Sequence, residues 1–131
     1  MYNLSQFKQL QTPNIEFQIC STISIFNIFS LAKLVLWVRN FAPKFFYVNT
    51  CFDPDVFNIQ TLPRQIKDIV NGRYGDLKDF KGTLNYMNLV DRDTQVIRQQ
   101  RKARILQTDQ YRKENFGKTF PLLNKVLQIY E

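Results

Sequence analysis

Ile15-Glu16-Phe17-Gln18-Ile19-Cys20-Ser21-Thr22-Ile23-Ser24-Ile25-Phe26-Asn27 sets an apolar side chain at nearly every odd position and a polar or small one at nearly every even position. Successive side chains of a strand point to opposite faces, so this period of two predicts a strand with one face toward a core. The next segment changes period. After Ser30, a residue type suited to capping, Leu31, Leu34, Val35 and Val38 fall on one helical face. A second apolar run, Phe45-Phe46-Tyr47-Val48-Asn49, predicts another strand. Strand, helix and strand in about 35 residues make a βαβ unit. Parallel strands need more sheet beside them than the rest of this chain supplies.

With 131 residues, 44% of them apolar, the chain can form one domain with a core and does not have the composition of a disordered polymer. Its formal charge of +7 is uneven: residues 1–61 hold four Lys/Arg against three Asp/Glu, and residues 62–131 hold fourteen against eight. There is no histidine, and the two cysteines, Cys20 and Cys51, stand 31 positions apart. Residue supply therefore excludes a protein-only zinc site and a histidine-based triad. Each cysteine lies in or beside a strand and is expected as a buried reduced thiol. The segment from Ile19 to Val38 is apolar, but Ser21, Thr22, Ser24, Asn27, Ser30 and Lys33 interrupt it and its first half alternates. No membrane span is expected from that pattern. Met1 to Gln11 has no basic stretch followed by an apolar run, so no secretory leader is expected and a cytoplasmic location is.

Beyond the second strand, Thr50-Cys51-Phe52-Asp53-Pro54-Asp55 is a turn signal, and Phe57 to Gln60 is expected to be short and extended. Leu62-Pro63 opens a helix with Ile66, Ile69 and Val70 on one face, ended by Asn71-Gly72. A further helix is expected from Asp76 as its cap, with Leu77, Phe80, Leu84 and Met87 aligned. Gln95 to Arg112 predicts a solvated helix in which only Val96, Ile97, Ile105, Leu106 and Tyr111 bury. Gly117 marks a break, and Thr119 and Pro121 open a last helix with Leu123, Val126, Leu127 and Tyr130 on one face. The fold class is thus α/β, with a βαβ segment over residues 1–61 and an all-helical extension over 62–131.

Four constellations bear on chemistry. Asp53 and Asp55 follow a strand, the edge where parallel sheets bind ligands, although aspartate is also an ordinary turn residue. Arg92, Arg98, Arg101, Lys102 and Arg104 lie within thirteen residues with Gln95, Gln99 and Gln100 among them. Positions 98, 101, 102 and 105 share one side of a helix, which makes a polyanion-binding stripe geometrically feasible; a solvated helix face is the simpler reading. Phe41, Phe45, Phe46, Tyr47 and Phe52 suit a buried parallel strand better than a platform for bases. The four glycines match no phosphate-loop fingerprint.

The order Thr22-Ile23-Ser24-Ile25-Phe26-Asn27, the Trp37-bearing helix, Phe46-Tyr47-Val48-Asn49, Asp53-Pro54 and Leu62-Pro63-Arg64-Gln65-Ile66-Lys67 resembles the later part of radical S-adenosylmethionine (radical SAM) enzymes. It looks most like the twitch-domain-containing kind of phage and marine microbial sequences. Asp109-Gln110-Tyr111-Arg112-Lys113-Glu114-Asn115-Phe116 and Thr119-Phe120-Pro121-Leu122-Leu123 are similar to the ending of that group, so the resemblance spans about residues 14 to 131. It implies the last βαβ portion of a partial (β/α)6 barrel followed by a helical C-terminal extension. In the family a three-cysteine motif binds a [4Fe-4S] cluster that reduces S-adenosylmethionine; this sequence has no such motif, and Cys20 and Cys51 cannot replace it. By position, Asn27 aligns with a residue that helps hold the adenosyl ribose, and Val48 and Asn49 with the segment that meets adenine.

The resemblance implies a fragmentary, degenerate or split relative with no cofactor of its own, whose partner is a complementary radical SAM chain or a second copy at an exposed sheet edge. The alternative is a small basic module that contacts nucleic acid through Arg92, Arg98, Arg101, Lys102 and Arg104. A hydrolase built on Asp53 and Asp55 satisfies little of what such a site requires.

Overall fold

The computed structural model describes residues 2–130; Met1 and Glu131, the outermost residues of the two expected segments, lie outside the described residues. A helix α1 (Tyr2–Gln9) precedes strand β1 (Gln18–Ile23). Helix α2 (Leu31–Phe41) crosses over to strand β2 (Phe45–Thr50). Then come α3 (Arg64–Tyr74), α4 (Lys81–Leu89), α5 (Gln95–Arg112), the single turn α6 (Phe116–Thr119) and α7 (Pro121–Leu127). The protein is a mixed helix and strand fold, mostly helical, with one small parallel sheet. No helix among the described residues is long and apolar enough to cross a membrane.

β1 and β2 pair in parallel from Gln18↔Phe45 to Ile23↔Thr50. The expected alternation holds, but the strand is shorter than the apolar pattern. Beyond Ile23 the chain turns at Ser24, where Asn27 Oδ1 accepts from the Ser24 N–H at 2.9 Å and Asn27 Nδ2 donates to the Thr22 carbonyl at 2.9 Å. Ile25 and Ile28 are thereby delivered to the core from a turn. Leu31, Val35 and Val38 are the buried stripe of α2. Ser30 precedes α2 as expected, yet its side chain makes no capping bond, because a 3-10 turn at Ile28–Ser30 already leads into the helix. α2 ends on Ala42 in the left-handed region, φ 50°, with its N–H donating to the Val38 carbonyl at 2.8 Å.

Several expected boundaries move. Phe57 to Gln60 is not extended: Asp55–Phe57 and Ile59–Thr61 are 3-10 turns, the second closed by Asn58 Oδ1 accepting from the Gln60 N–H at 2.9 Å. Asn71-Gly72 does not end α3, which runs to Tyr74. Gly72 keeps helical geometry, and the stop is at Gly75, where a Cβ would lie 2.8 Å from the Asn71 carbonyl oxygen. Asp76 does not cap the next helix; Lys78–Phe80 forms a 3-10 turn first, and α4 begins at Lys81.

One apolar core takes Ile23, Ile28, Leu31 and Val35 from the βαβ part and Ile66, Val70, Phe80, Met87, Ile105 and Leu123 from the helical part. It crosses the boundary that the sequence suggests at residue 61. Beside it lies a buried polar layer. Asn58 Nδ2 donates to Tyr86 Oη at 2.7 Å, Gln60 Nε2 to the Tyr86 carbonyl at 2.9 Å, and Thr61 Oγ1 to the Asn58 carbonyl at 2.7 Å. The first two bonds join the 3-10 turns to α4, the third closes the turn itself, and all satisfy groups that would otherwise cost about 1–3 kcal/mol each to bury.

Candidate functional site

The helix α2 and the core cover one face of the sheet, that of Ile19, Ser21 and Ile23 with Phe46, Val48 and Thr50. The opposite face is open: Gln18, Cys20 and Thr22 stand beside Phe45, Tyr47 and Asn49, all exposed. Phe45 is 50% accessible, Tyr47 49% and the nearby Phe52 64%, so the aromatic concentration expected as a buried strand is half uncovered. Both outer edges of the sheet also lack a strand partner among the described residues. Parallel sheets normally have both faces packed, because their crossover helices place polypeptide on each side.

The side chains of the three residues aligned with nucleoside contacts do not share one surface. Asn27 spends both ends of its amide on the turn after β1. Val48 faces the core, and Asn49 faces the open side with Nδ2 3.2 Å from Cys20 Sγ. Neither cysteine is buried as expected: Cys20 is exposed and Cys51 half-buried, and both are free thiols. Burial, with the carboxylate of Asp53 adding to it, pushes the Cys51 thiol above its ordinary range. Two thiols on separate contacts do not supply the three ligands of a [4Fe-4S] cluster, and no group of three or more potential metal ligands occurs among the described residues.

The basic run is also dispersed. Arg101, expected on a polyanion-binding stripe, is instead 1% exposed: Nη1 donates to the Thr61 carbonyl at 3.0 Å and to Thr61 Oγ1 at 3.2 Å, and Nη2 lies 3.6 Å from Asp93 Oδ1. Burial lowers its pKa while Asp93 opposes that shift. Arg98 is paired to the same Asp93, which raises its pKa. Arg92 holds Asp55 by two contacts at 2.8 and 2.9 Å, so Asp55 does not form a pair with Asp53. Only Lys102 and Arg104 of the five cations have no carboxylate partner among the described residues.

A concave site that the sequence did not signal lies past the carboxyl ends of both strands. Phe26, three residues beyond β1, packs on Phe57, seven beyond β2, with ring centroids 4.7 Å apart; the Ile25 N–H donates to the Phe57 carbonyl at 3.1 Å. Phe116 and Phe120 complete this aromatic floor at 6.1 and 5.8 Å from Phe26. The cavity above it has a volume of about 650 Å³ and is walled by α5. Asp109, buried on α5, fixes the far wall: Oδ2 accepts from the Phe116 N–H at 2.6 Å and from Tyr130 Oη at 2.7 Å. That carboxylate raises the Tyr130 pKa. The four phenylalanines are scattered over ninety-five residues, so no local pattern announces them; the one available signal is that Phe26 and Phe57 each follow a strand of a parallel pair. Comparison with known proteins yields no match: no family model, no curated protein and no solved structure corresponds to this chain.

Proposed function

We propose that this chain is a non-catalytic relative of radical SAM enzymes, a βαβ slice of a partial barrel that works as part of a larger assembly. The observation that carries this reading is the open face of the parallel pair. In a barrel of alternating strands and helices the helices lie outside and the opposite strand face looks inward. Here α2 covers one face while Cys20, Tyr47 and Asn49 occupy the other, and both edges are unpaired among the described residues. Additional strands beside β1 and β2 would pair those edges and enclose that face, and further polypeptide, a complementary chain or a second copy, is their source. The half-exposed Phe45 and Tyr47 side chains give such an association an apolar contact. The chain's own residues do not fit a [4Fe-4S] cluster, so any S-adenosylmethionine chemistry belongs to the completing partner. The basic-module reading ranks second, because three of its five cations are committed to carboxylates and one of those is buried.

Light scattering on the purified chain across a concentration series, with a thermal melt, tests this. The expected result is association that deepens with concentration and is abolished in the F45K/Y47K variant while its helical signal is kept. A monodisperse monomer with a sharp transition at every concentration overturns the open-assembly reading. Anaerobic incubation with iron and sulfide is expected to leave the chain without a cluster, and stoichiometric cluster uptake overturns the non-catalytic assignment.

A further inference from the structure

We infer that the cavity beyond the strand ends is a binding site for a small planar aromatic carboxylate. Its volume of about 650 Å³ falls in the range of small-molecule sites, and it sits at the carboxyl edge of a parallel sheet, where such sites form. The floor is built of four aromatic rings, since Phe26 meets Phe57, Phe116 and Phe120 within 6.1 Å, centroid to centroid. Rings in such a nest offer faces and edges to a flat ligand. The wall is polar and holds two arginines. Arg104, Thr108 and Arg112 follow one another at intervals of four along α5, one above the other on one face of the helix, and all three line the cavity.

The two arginines are about 12 Å apart along the helix axis, a span that two guanidinium side chains can close above Thr108. Neither has a side-chain partner among the described residues, and Arg104 is one of the two cations in its run without a carboxylate. Two carboxylates also line the cavity. Asp109 directs Oδ2 to the Phe116 N–H and the Tyr130 hydroxyl, and is thereby occupied in holding the wall; Glu114 is exposed at the rim. The two arginines and two carboxylates balance in formal charge, but both carboxylates differ from the arginines in use: Asp109 takes its hydrogen bonds within the wall and Glu114 stands exposed, which leaves two guanidinium groups without a side-chain partner over an apolar floor. A flat ring with one anionic group fits both parts. A neutral aromatic leaves the guanidinium groups without an anion, and a bare inorganic anion leaves the floor empty.

Ligand-observed NMR with indole-3-acetate as the probe, and indole-3-acetamide as its uncharged counterpart, tests the inference on the full chain. Indole-3-acetate is expected to bind with a Kd below about 1 mM. The acetamide is expected to bind at least about tenfold more weakly, and the R104Q/R112Q variant to lose the acetate by a similar factor. The K78Q/K81Q variant, which removes equal charge elsewhere, is expected to bind as the parent does. A thermal melt of each variant establishes that it is folded. No binding by the parent up to about 5 mM, equal binding of acid and amide, unchanged affinity in R104Q/R112Q, or displacement of the acid by an equal concentration of inorganic phosphate each overturns the assignment.

Discussion

Replacing Arg101 with methionine is expected to remove about 3 kcal/mol of stability. Methionine keeps most of the apolar stem and deletes the guanidinium, so packing changes little and the polar contacts vanish. Those contacts are the two hydrogen bonds to Thr61 at 3.0 and 3.2 Å and the approach to Asp93 at 3.6 Å, all around a side chain that is 2% accessible. A hydrogen bond from a charged donor is worth about 1.5–3 kcal/mol net, and one-sided removal of a buried ion pair costs about 3–5 kcal/mol. The lower end applies because Asp93 keeps Arg98 as a partner and Thr61 Oγ1 still donates to the Asn58 carbonyl. Against a whole stability of about 5–15 kcal/mol, this one guanidinium decides a large share of whether the helical part holds to the turns after β2. In urea unfolding with a slope of about 1.5–2 kcal/mol per M, the midpoint is expected to fall by about 1.5–2 M. Arg104→Met, one turn away on the exposed side of the same helix, is expected to change it by less than about 0.5 kcal/mol. A loss below about 1 kcal/mol for Arg101→Met, or an equal loss at Arg104, refutes the reasoning that burial has converted Arg101 from a surface cation into a structural strut.

Ala42 carries a Cβ at φ 50° and ψ 61°, a region that only glycine enters without steric cost, so Ala42→Gly is expected to stabilise the chain by about 0.5–1 kcal/mol in chemical denaturation; a destabilised variant contradicts this. Tyr130 donates to Asp109, and its pKa is raised above 10.0 by that carboxylate first and by burial second. The folded state therefore holds this proton more tightly than the unfolded chain, and the bond's contribution is intact below the ordinary tyrosine value and is lost as pH rises through the higher folded value. The difference in melting temperature between the parent and Y130F is expected to be constant up to about pH 10 and to shrink above it; a difference that grows with alkalinity contradicts the bond's assigned role.

The βαβ unit was legible because two physical periods are written side by side in the sequence, two in β1 and about three and a half in α2. Its length was not: Ile25 continues the alternation but reaches the core from a turn that Asn27 builds, and alternation does not register which backbone amides have a strand partner. In α5 the buried side is Ile97, Arg101, Ile105 and Asp109 at intervals of four, a regular helical stripe in which every second member is charged. A search for apolar periodicity finds Ile97 and Ile105, passes over the charged members of the stripe, and adds Val96 and Tyr111, which are 60% and 89% exposed. The charges are buried because each meets fixed partners, one of them from a distant segment: Thr61 with the nearer Asp93 for one, Tyr130 with the nearer Phe116 amide for the other. Long-range partners of that kind leave no mark in local sequence. The same blindness hid the cavity, whose floor brings together rings from positions 26, 57, 116 and 120.

The parallel crossover explains why the open sheet face and the cavity are separate surfaces. A right-handed βαβ unit places its helix against one face, and without further strands nothing in that topology covers the other. The same unit sends both strands out at one end, so the segments that follow them, carrying Phe26 and Phe57, meet there. The polar layer at Asn58, Gln60 and Thr61 then ties the second of these segments to α4 and, through Arg101, to α5. The cavity wall on α5 is thus anchored to the sheet by contacts internal to the chain, and none of the residues lining the cavity belongs to the open face. Polypeptide that covers Phe45 and Tyr47 would complete the sheet without having to supply any part of the aromatic floor. The proposed assembly and the proposed ligand binding therefore rest on different side chains, and the cavity's shape follows from the buried charges of α5 rather than from whatever closes the sheet.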